Sequence, residues 1–371
     1  MKNALLVLEN GYSEAGKVFA GEGTVFAEFI FNTSMSGYEK IISDPSYKEQ
    51  VIVFTYPLIG NYGVNEEFFE SDNIHASAIV VREYNDFYSH YAAKKTLKEL
   101  LVENNILGLT SVDTRELTLN IRKYGAIKGA ISTEYMNKEK LLDMVRKSPS
   151  IEKKNPVLSV VKKDVVRLKG SDENSLTLLI LDFGIKKSII ENLRRYFGEI
   201  ILFPYSPDFI KKLQSHQYDA VFLSNGPGDP RIIKDVDNFA LKTIEKRVPI
   251  IGICFGHQLI GKAFGMEIIK LPFGHHGGNH PVKNTLTNKV YITAQNHNYA
   301  ISKKSVEDSK EFYMNWVNLY DGTVEGIVHK ELPIYTVQFH PEAAPGPNDP
   351  KELVFEEMFE IVRKNAHKKR Y

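Results

Sequence analysis

The stretch VPIIGICFGHQLIGKAFG, Val248–Gly265, holds the only cysteine of the 371-residue chain. Val248–Ile253 reads as a short buried strand, aliphatic or glycine apart from Pro249, and the residues after Cys254 read as a helix. Cys254 stands at the bend, with Gly252 and Gly256 two residues away on either side. Small residues there permit a sharp, crowded turn, the logic of a nucleophile elbow. A helix N-terminus beyond the bend stabilises a thiolate through its dipole and its unpaired N–H groups. Two readings of Cys254 stand side by side: an activated nucleophile, or a small buried hydrophobe, the usual fate of a lone cysteine.

Working outward, the near-continuous apolar runs LTLLILDF, EIILFPY, YDAVFLSN and VPIIGIC alternate with the helical patterns KKSIIENLRRYF, PDFIKKLQ and DVDNFALKTIEKR. That alternation predicts an α/β fold with a C-terminal doubly wound, mostly parallel sheet. KVYITAQN, GTVEGIVHK and IYTVQFH add strands before a terminal helix, KELVFEEMFEIVRKNA. The first half reads as a mixed α/β N-terminal domain. Its strands are ALLVLENG, TVFAEFIF, QVIVFTYP and ASAIVV, and its helices lie near 94–104, 114–123 and 137–147, with Thr114 as an N-cap. The polar, turn-rich KGSDENS places the boundary near Asp172, giving domains 1–172 and 173–371.

In an open parallel sheet, ligands sit at the carboxyl ends of the strands. Cys254 follows one strand, and GPGDP, Asn296-His297 and His340-Pro341-Glu342 follow three others. His340 leaves its strand directly, and Glu342 two residues on can accept from one ring nitrogen, leaving the other to face a thiol. His257 would ride down the helix away from the strand tip. Cys254, His340 and Glu342 thus make a variant of triad chemistry. Gly226 and Gly228 can bring backbone N–H groups close to a ligand, and the Phe255 N–H is the natural donor beside the nucleophile. Alone, NGPGDP is an ordinary turn and HPE an exposed histidine beside a proline.

Composition limits what else the chain could be. An apolar fraction of 43%, a charged fraction of 25% and a net charge of +1 are those of a globular protein with no electrostatic case for nucleic acid or an anionic membrane. One cysteine makes no internal disulfide, which suits a reducing cytoplasm, and neither a secretory leader nor a membrane span is expected.

GICFGHQ, SNGPGDP and FHPEA together resemble the class I, triad-type glutamine amidotransferases. SMSGYEKIISDPSYKEQVIVFTYPLIGNYG, SVDTRELTLNIRKYGAIKGAI, LPFGHHGGNHPV and ITAQNHNYA resemble more specifically the glutamine-hydrolysing small subunits of carbamoyl phosphate synthetases, across essentially the whole chain. The resemblance implies that Cys254 attacks the side-chain amide of glutamine, that His340 carries the proton to the leaving ammonia, and that Glu342 orients His340. A γ-glutamyl thioester forms and is hydrolysed. It further implies glutamine contacts at Ser46, Gly226, Gly228, Phe255, Gln258, Asn296, Asn298 and Tyr299, with Ser46 bringing the pocket to the domain interface. Phe255, Asn298 and Tyr299 depart from the residues common in relatives, which are Leu, Gly and Phe. The implied partner is the synthetase large subunit, in a heterodimer or a higher oligomer of heterodimers. Ammonia would pass to it for carbamoyl phosphate synthesis from bicarbonate, with ATP and Mg on that subunit and no cofactor on this chain. A free-standing γ-glutamyl amidase and a non-catalytic docking subunit are the competing readings; the intact Cys254, His340 and Glu342 speak against the second.

Three further signals are weaker. GYSEAGKV, Gly11–Val18, lacks the Ser or Thr of a phosphate-binding loop. His275, His276 and His280 in GHHGGNH could hold zinc but lack a fourth ligand, so no metal is expected. Asn32-Thr33-Ser34 is a glycosylation sequon that a cytoplasmic chain would not use.

Overall fold

The computed structural model describes residues 1–213 and 216–366. The chain forms two compact units, one of residues 1–154 with Leu271–Gly277, the other of Asn155–Lys270 with the chain from Gly278 onward.

The first unit is built on a closed seven-stranded barrel. In order around it run Lys2–Leu8, Ser13–Ala20, Leu107–Thr110, Ala78–Val80, Gln50–Phe54, Thr24–Asn32 and Ile127–Ser132. Side chains alternate across a strand, and the sequence respects that period. Ala4, Leu6 and Leu8 share one apolar cluster with Val51, Val53, Val80 and Leu109. Leu5 and Val7 turn the other way, onto Leu141 and Val145 of the helix Lys138–Lys147. Closure removes the sheet edges that a mixed α/β reading leaves open. Leu271–Gly277 belongs here because it is bonded into this unit: Ala126 N–H donates to Pro272 O at 3.1 Å, and Thr33 N–H donates to His276 O at 3.1 Å. The rings of Phe31 and Phe273 meet at 5.9 Å.

The second unit is a ten-stranded sheet. Five neighbouring strands are parallel, in the order Glu199–Pro204, Thr177–Asp182, Ala220–Leu223, Ile250–Ile253 and Ile334–Val337. Antiparallel strands flank the block, Val166–Lys169 on one side and Val324–His329 followed by Phe312–Asn318 on the other. Alternation again assigns the faces. Leu179, Leu181, Val221, Leu223 and Ile250 pack with residues of the helices Val236–Glu245 and Phe255–Ala263. Leu178, Ile180, Phe222, Ile251 and Ile253 pack with the helices Lys187–Leu193 and Lys351–Ala366. The sheet is therefore covered on both faces, as a doubly wound sheet must be.

Several expectations are corrected. The units divide after Lys154 and not near Asp172. Val157 lies in the core of the second unit, Val166–Lys169 pairs with Glu199–Pro204, and KGSDENS runs over that unit's surface, with Gly170 N–H donating to Gly198 O at 2.8 Å. Its polar character marks a solvated turn inside a unit. The helix Thr114–Tyr124 is capped by Asp113, whose carboxylate accepts from the N–H groups of Arg115 and Glu116, so Thr114 is the first helical residue. Asn296 and His297 do not end a strand; they lie within Val290–Ile301. GYSEAGKV, in contrast, needs no correction: its missing Ser or Thr speaks against a phosphate loop, and it folds as a hairpin arm, Ser13–Ala20 paired with Lys2–Leu8, without the helix such a loop requires. His275 and His276 are adjacent on the strand Ile268–Asn284, where neighbours face opposite ways. The last residues of the basic tail, from 367, lie outside the described residues.

Candidate active site

Cys254 caps the helix Phe255–Ala263 directly after the strand Ile250–Ile253, with φ 55° and ψ −103°. A positive φ on a residue with a side chain is strained, and the surroundings hold it in place. The Cys254 N–H donates to Val337 O at 2.8 Å, and its carbonyl accepts from Gln258 N–H at 3.1 Å. Gly256 allows the helix to start this close to the sheet, since a Cβ there would stand 2.0 Å from Leu223 O. The thiol is 2% exposed and donates to the Asn296 carbonyl at 3.6 Å.

His340 arrives three residues after the strand Ile334–Val337, anchored by its N–H on Ala294 O at 2.9 Å. Its Nδ1 lies 2.7 Å from Glu342 Oε1. The Nε2 is buried and makes no conventional hydrogen bond among the described residues, so it is the ring atom left for chemistry. Burial by itself would lower the His340 pKa. The Glu342 carboxylate overrides it, followed by the Cys254 thiol, and raises the pKa to about 10. Burial would likewise raise Glu342, but Lys186 and then His340 hold it down at about 2. Lys186 Nζ donates to Glu342 Oε1 at 2.8 Å and to Ala343 O at 2.7 Å, and its side chain is 3% exposed. A thiol, an imidazole, a carboxylate and an ammonium thus converge from three strand ends. Charge on the imidazole is stabilised before any substrate arrives, as a proton shuttle between a nucleophile and a leaving group requires.

The comparisons bear on the whole chain. Residues 6–131 match the family "Carbamoyl-phosphate synthase small chain, CPSase domain", and residues 179–361 match "Glutamine amidotransferase class-I". A carbamoyl phosphate synthase small chain of Aquifex aeolicus is 44% identical, over 98% of this chain and 99% of that one. Those of Methanosarcina mazei and Clostridium acetobutylicum are 40% and 42% identical, over 97% and 93% of this chain and 98% and 96% of theirs. The chain belongs to the carbamoyl phosphate synthase small chain family.

The other residues expected in the site of this small chain have definite places. Gly226 and Gly228 come after the strand Ala220–Leu223, and Gly228 has φ +89°. Phe255 opens the helix that follows Cys254 and is buried. Gln258, one turn on, donates from Nε2 to Tyr299 O at 2.7 Å and to Gln338 Oε1 at 3.0 Å. Asn296, Asn298 and Tyr299 share the strand Val290–Ile301, all buried. Ser46 sits in the first unit on the turn Pro45–Tyr47, its N–H donating to Asp44 Oδ1 at 2.9 Å. His257 stays off the site, with Nδ1 2.8 Å from Thr336 Oγ1. Burial lowers its pKa to about 3.

Sequence reasoning missed Lys186. A signal for it exists, since Lys186 in DFGIKK comes four residues after the strand Thr177–Asp182 and so stands near a strand end like the others. It also missed Ser224 and Asn225, which tie this loop to the glycine loop. Ser224 Oγ accepts from Phe183 N–H at 2.9 Å, and Asn225 Nδ2 donates to Gly184 O at 3.0 Å.

Proposed function

We propose that this small chain hydrolyses L-glutamine to glutamate and ammonia. Cys254 Sγ, its proton already lodged on His340 Nε2, attacks the side-chain carboxamide carbon. The negative oxygen is received by N–H groups of Phe255 and the Gly226–Gly228 loop. His340 returns the proton to the carboxamide nitrogen, the C–N bond breaks, and ammonia leaves a γ-glutamyl thioester. Water then gives a proton to His340 and its oxygen to the acyl carbon, releasing glutamate and the thiol. Gln258, Asn296, Asn298 and Tyr299 hold the substrate. The ammonia serves carbamoyl phosphate synthesis from bicarbonate on a large-chain partner, which carries the ATP and Mg sites. This chain needs no cofactor and works in the cytoplasm.

The observation that carries the reading is the His340–Glu342–Lys186 array beside Cys254, with Nε2 held away from the carboxylate. The test is Cys254→Ser in the assembled synthase. Glutamine-dependent synthesis should fall by about 10²-fold or more, as loss of a nucleophile with its base demands, while synthesis from added ammonia persists. Full glutamine turnover in that variant would refute the assignment.

A further inference from the structure

Beside the glycine loop lies a cation that neither the triad nor the glutamine contacts use. Arg231 follows Gly228 by three residues in NGPGDPRII, and its guanidinium grips Asp229 as a fork: Nε lies 2.9 Å from Oδ1 and Nη2 lies 2.6 Å from Oδ2. Asp229 is 3% exposed and also accepts from the Arg231 N–H at 2.9 Å, so the fork is pinned at both backbone and side chain. The guanidinium carbon lies 5.3 Å from the centroid of the Tyr299 ring, and Lys270 Nζ lies 6.0 Å from the same centroid. Both distances fall within the range of cation–π attraction. Tyr299 is the aromatic end of the strand segment that carries Asn296 and Asn298, and its carbonyl is held by Gln258 of the nucleophile helix. A second tie fastens the same loop to that helix, Lys262 Nζ donating to Ile233 O at 2.5 Å.

We propose that Arg231 is a positioning residue that sets glutamine affinity: locked on Asp229, it holds the glycine loop and Tyr299 together as one wall of the glutamine pocket. The inference rests on the glutaminase reading above. A guanidinium suits the role where an ammonium does not, because only a planar fork can grip a carboxylate with one edge and lie against a ring. The wall contacts bound glutamine and leaves Cys254, His340 and Glu342 untouched. The loop also carries N–H donors to the negative oxygen, so loosening the wall raises KM first and lowers kcat with it.

The experiment is steady-state glutamine kinetics of the assembled synthase carrying Arg231→Ala, Arg231→Lys or Asp229→Asn. For Arg231→Ala the KM for glutamine should rise roughly five- to tenfold, with a smaller fall in kcat, the loss of one cation–π contact and its anchoring fork. Arg231→Lys should fall between that variant and wild type. Asp229→Asn, which keeps the cation but frees it, should raise KM in the same direction. Tyr299→Leu should raise KM by itself, and its effect combined with that of Arg231→Ala should fall short of additive. An unchanged KM in Arg231→Ala, a fall in kcat at constant KM, or full additivity with the Tyr299 change overturns the proposal. A wild-type enzyme without glutamine turnover overturns the glutaminase reading itself, and this one with it.

Discussion

Lys186 and Glu342 show how a buried charge decides the chemistry around it. The two are bonded at 2.8 Å with side chains 3% and 0% exposed, so neither charge is paid for by water. Lys186→Met leaves the carboxylate short of its cation. It should destabilise the protein by about 3–5 kcal/mol in urea unfolding; a loss below about 1 kcal/mol would mean that His340 alone carries the carboxylate. Glu342→Gln keeps the shape and removes the charge that favours a protonated His340. Glutamine hydrolysis should fall by about 10²-fold or more while glutamine binding changes little. The signs of the pH dependence come from the same groups. Glu342 has its pKa lowered from 4.5 to about 2, so its stabilisation is present above about pH 4.5 and lost as pH falls towards 2. His340 is raised from 6.5 to about 10, so its stabilisation is present below about 6.5 and lost as pH rises towards 10. His257 runs the other way: lowered from 6.5 to about 3, it penalises the folded state as pH falls across that interval. His257→Gln should flatten the acid-side stability slope by about 1.4 kcal/mol per pH unit, measured by urea unfolding from pH 6.5 downward. An unchanged slope would show that other groups set acid lability.

The elbow formed by the strand Ile250–Ile253 and the helix Phe255–Ala263 depends on how close the two can come. Gly256 faces Leu223 O on the neighbouring strand Ala220–Leu223, and the 2.0 Å left for a Cβ is less than any real contact permits. Gly256→Ala must therefore push the helix away from the sheet. We expect a stability loss of about 1–3 kcal/mol, as for overpacking, together with a loss of glutamine hydrolysis. Thermal melting alongside kinetics checks both; unchanged hydrolysis would show that the elbow tolerates a displaced helix. The strand ends were the most readable part of the site. Cys254, His340 and Glu342 could be placed because a parallel sheet delivers successive strand ends to one edge, whatever lies between them in sequence. Lys186 obeys the same rule, but a lysine at a helix start normally faces solvent, so its sequence context gives no sign of burial.

The whole molecule joins two units whose chain segments do not simply follow one another, since Leu271–Gly277 returns to the first. A fragment of residues 1–154 lacks the Pro272 carbonyl that accepts from Ala126 and the Phe273 ring that packs on Phe31. Such a fragment should unfold at lower urea than the same unit in the full chain, read by hydrogen exchange at Ala126; equal protection would show the returning segment to be dispensable. Among the described residues no helix is long and apolar enough to cross a membrane. Local patterning determined a good deal of this protein: the alternating apolar runs named the doubly wound sheet, and the residues after two strands pointed to Cys254, His340 and Glu342 as the candidate site. It could do so because side-chain period and strand-end position are properties of short segments. Barrel closure, the return of Leu271–Gly277, the boundary at Lys154, the Lys186–Glu342 pair and the Arg231–Tyr299 contact were decided only in three dimensions. Each is a meeting of residues far apart in the chain, and its energy exists only once the backbone between them has been ordered.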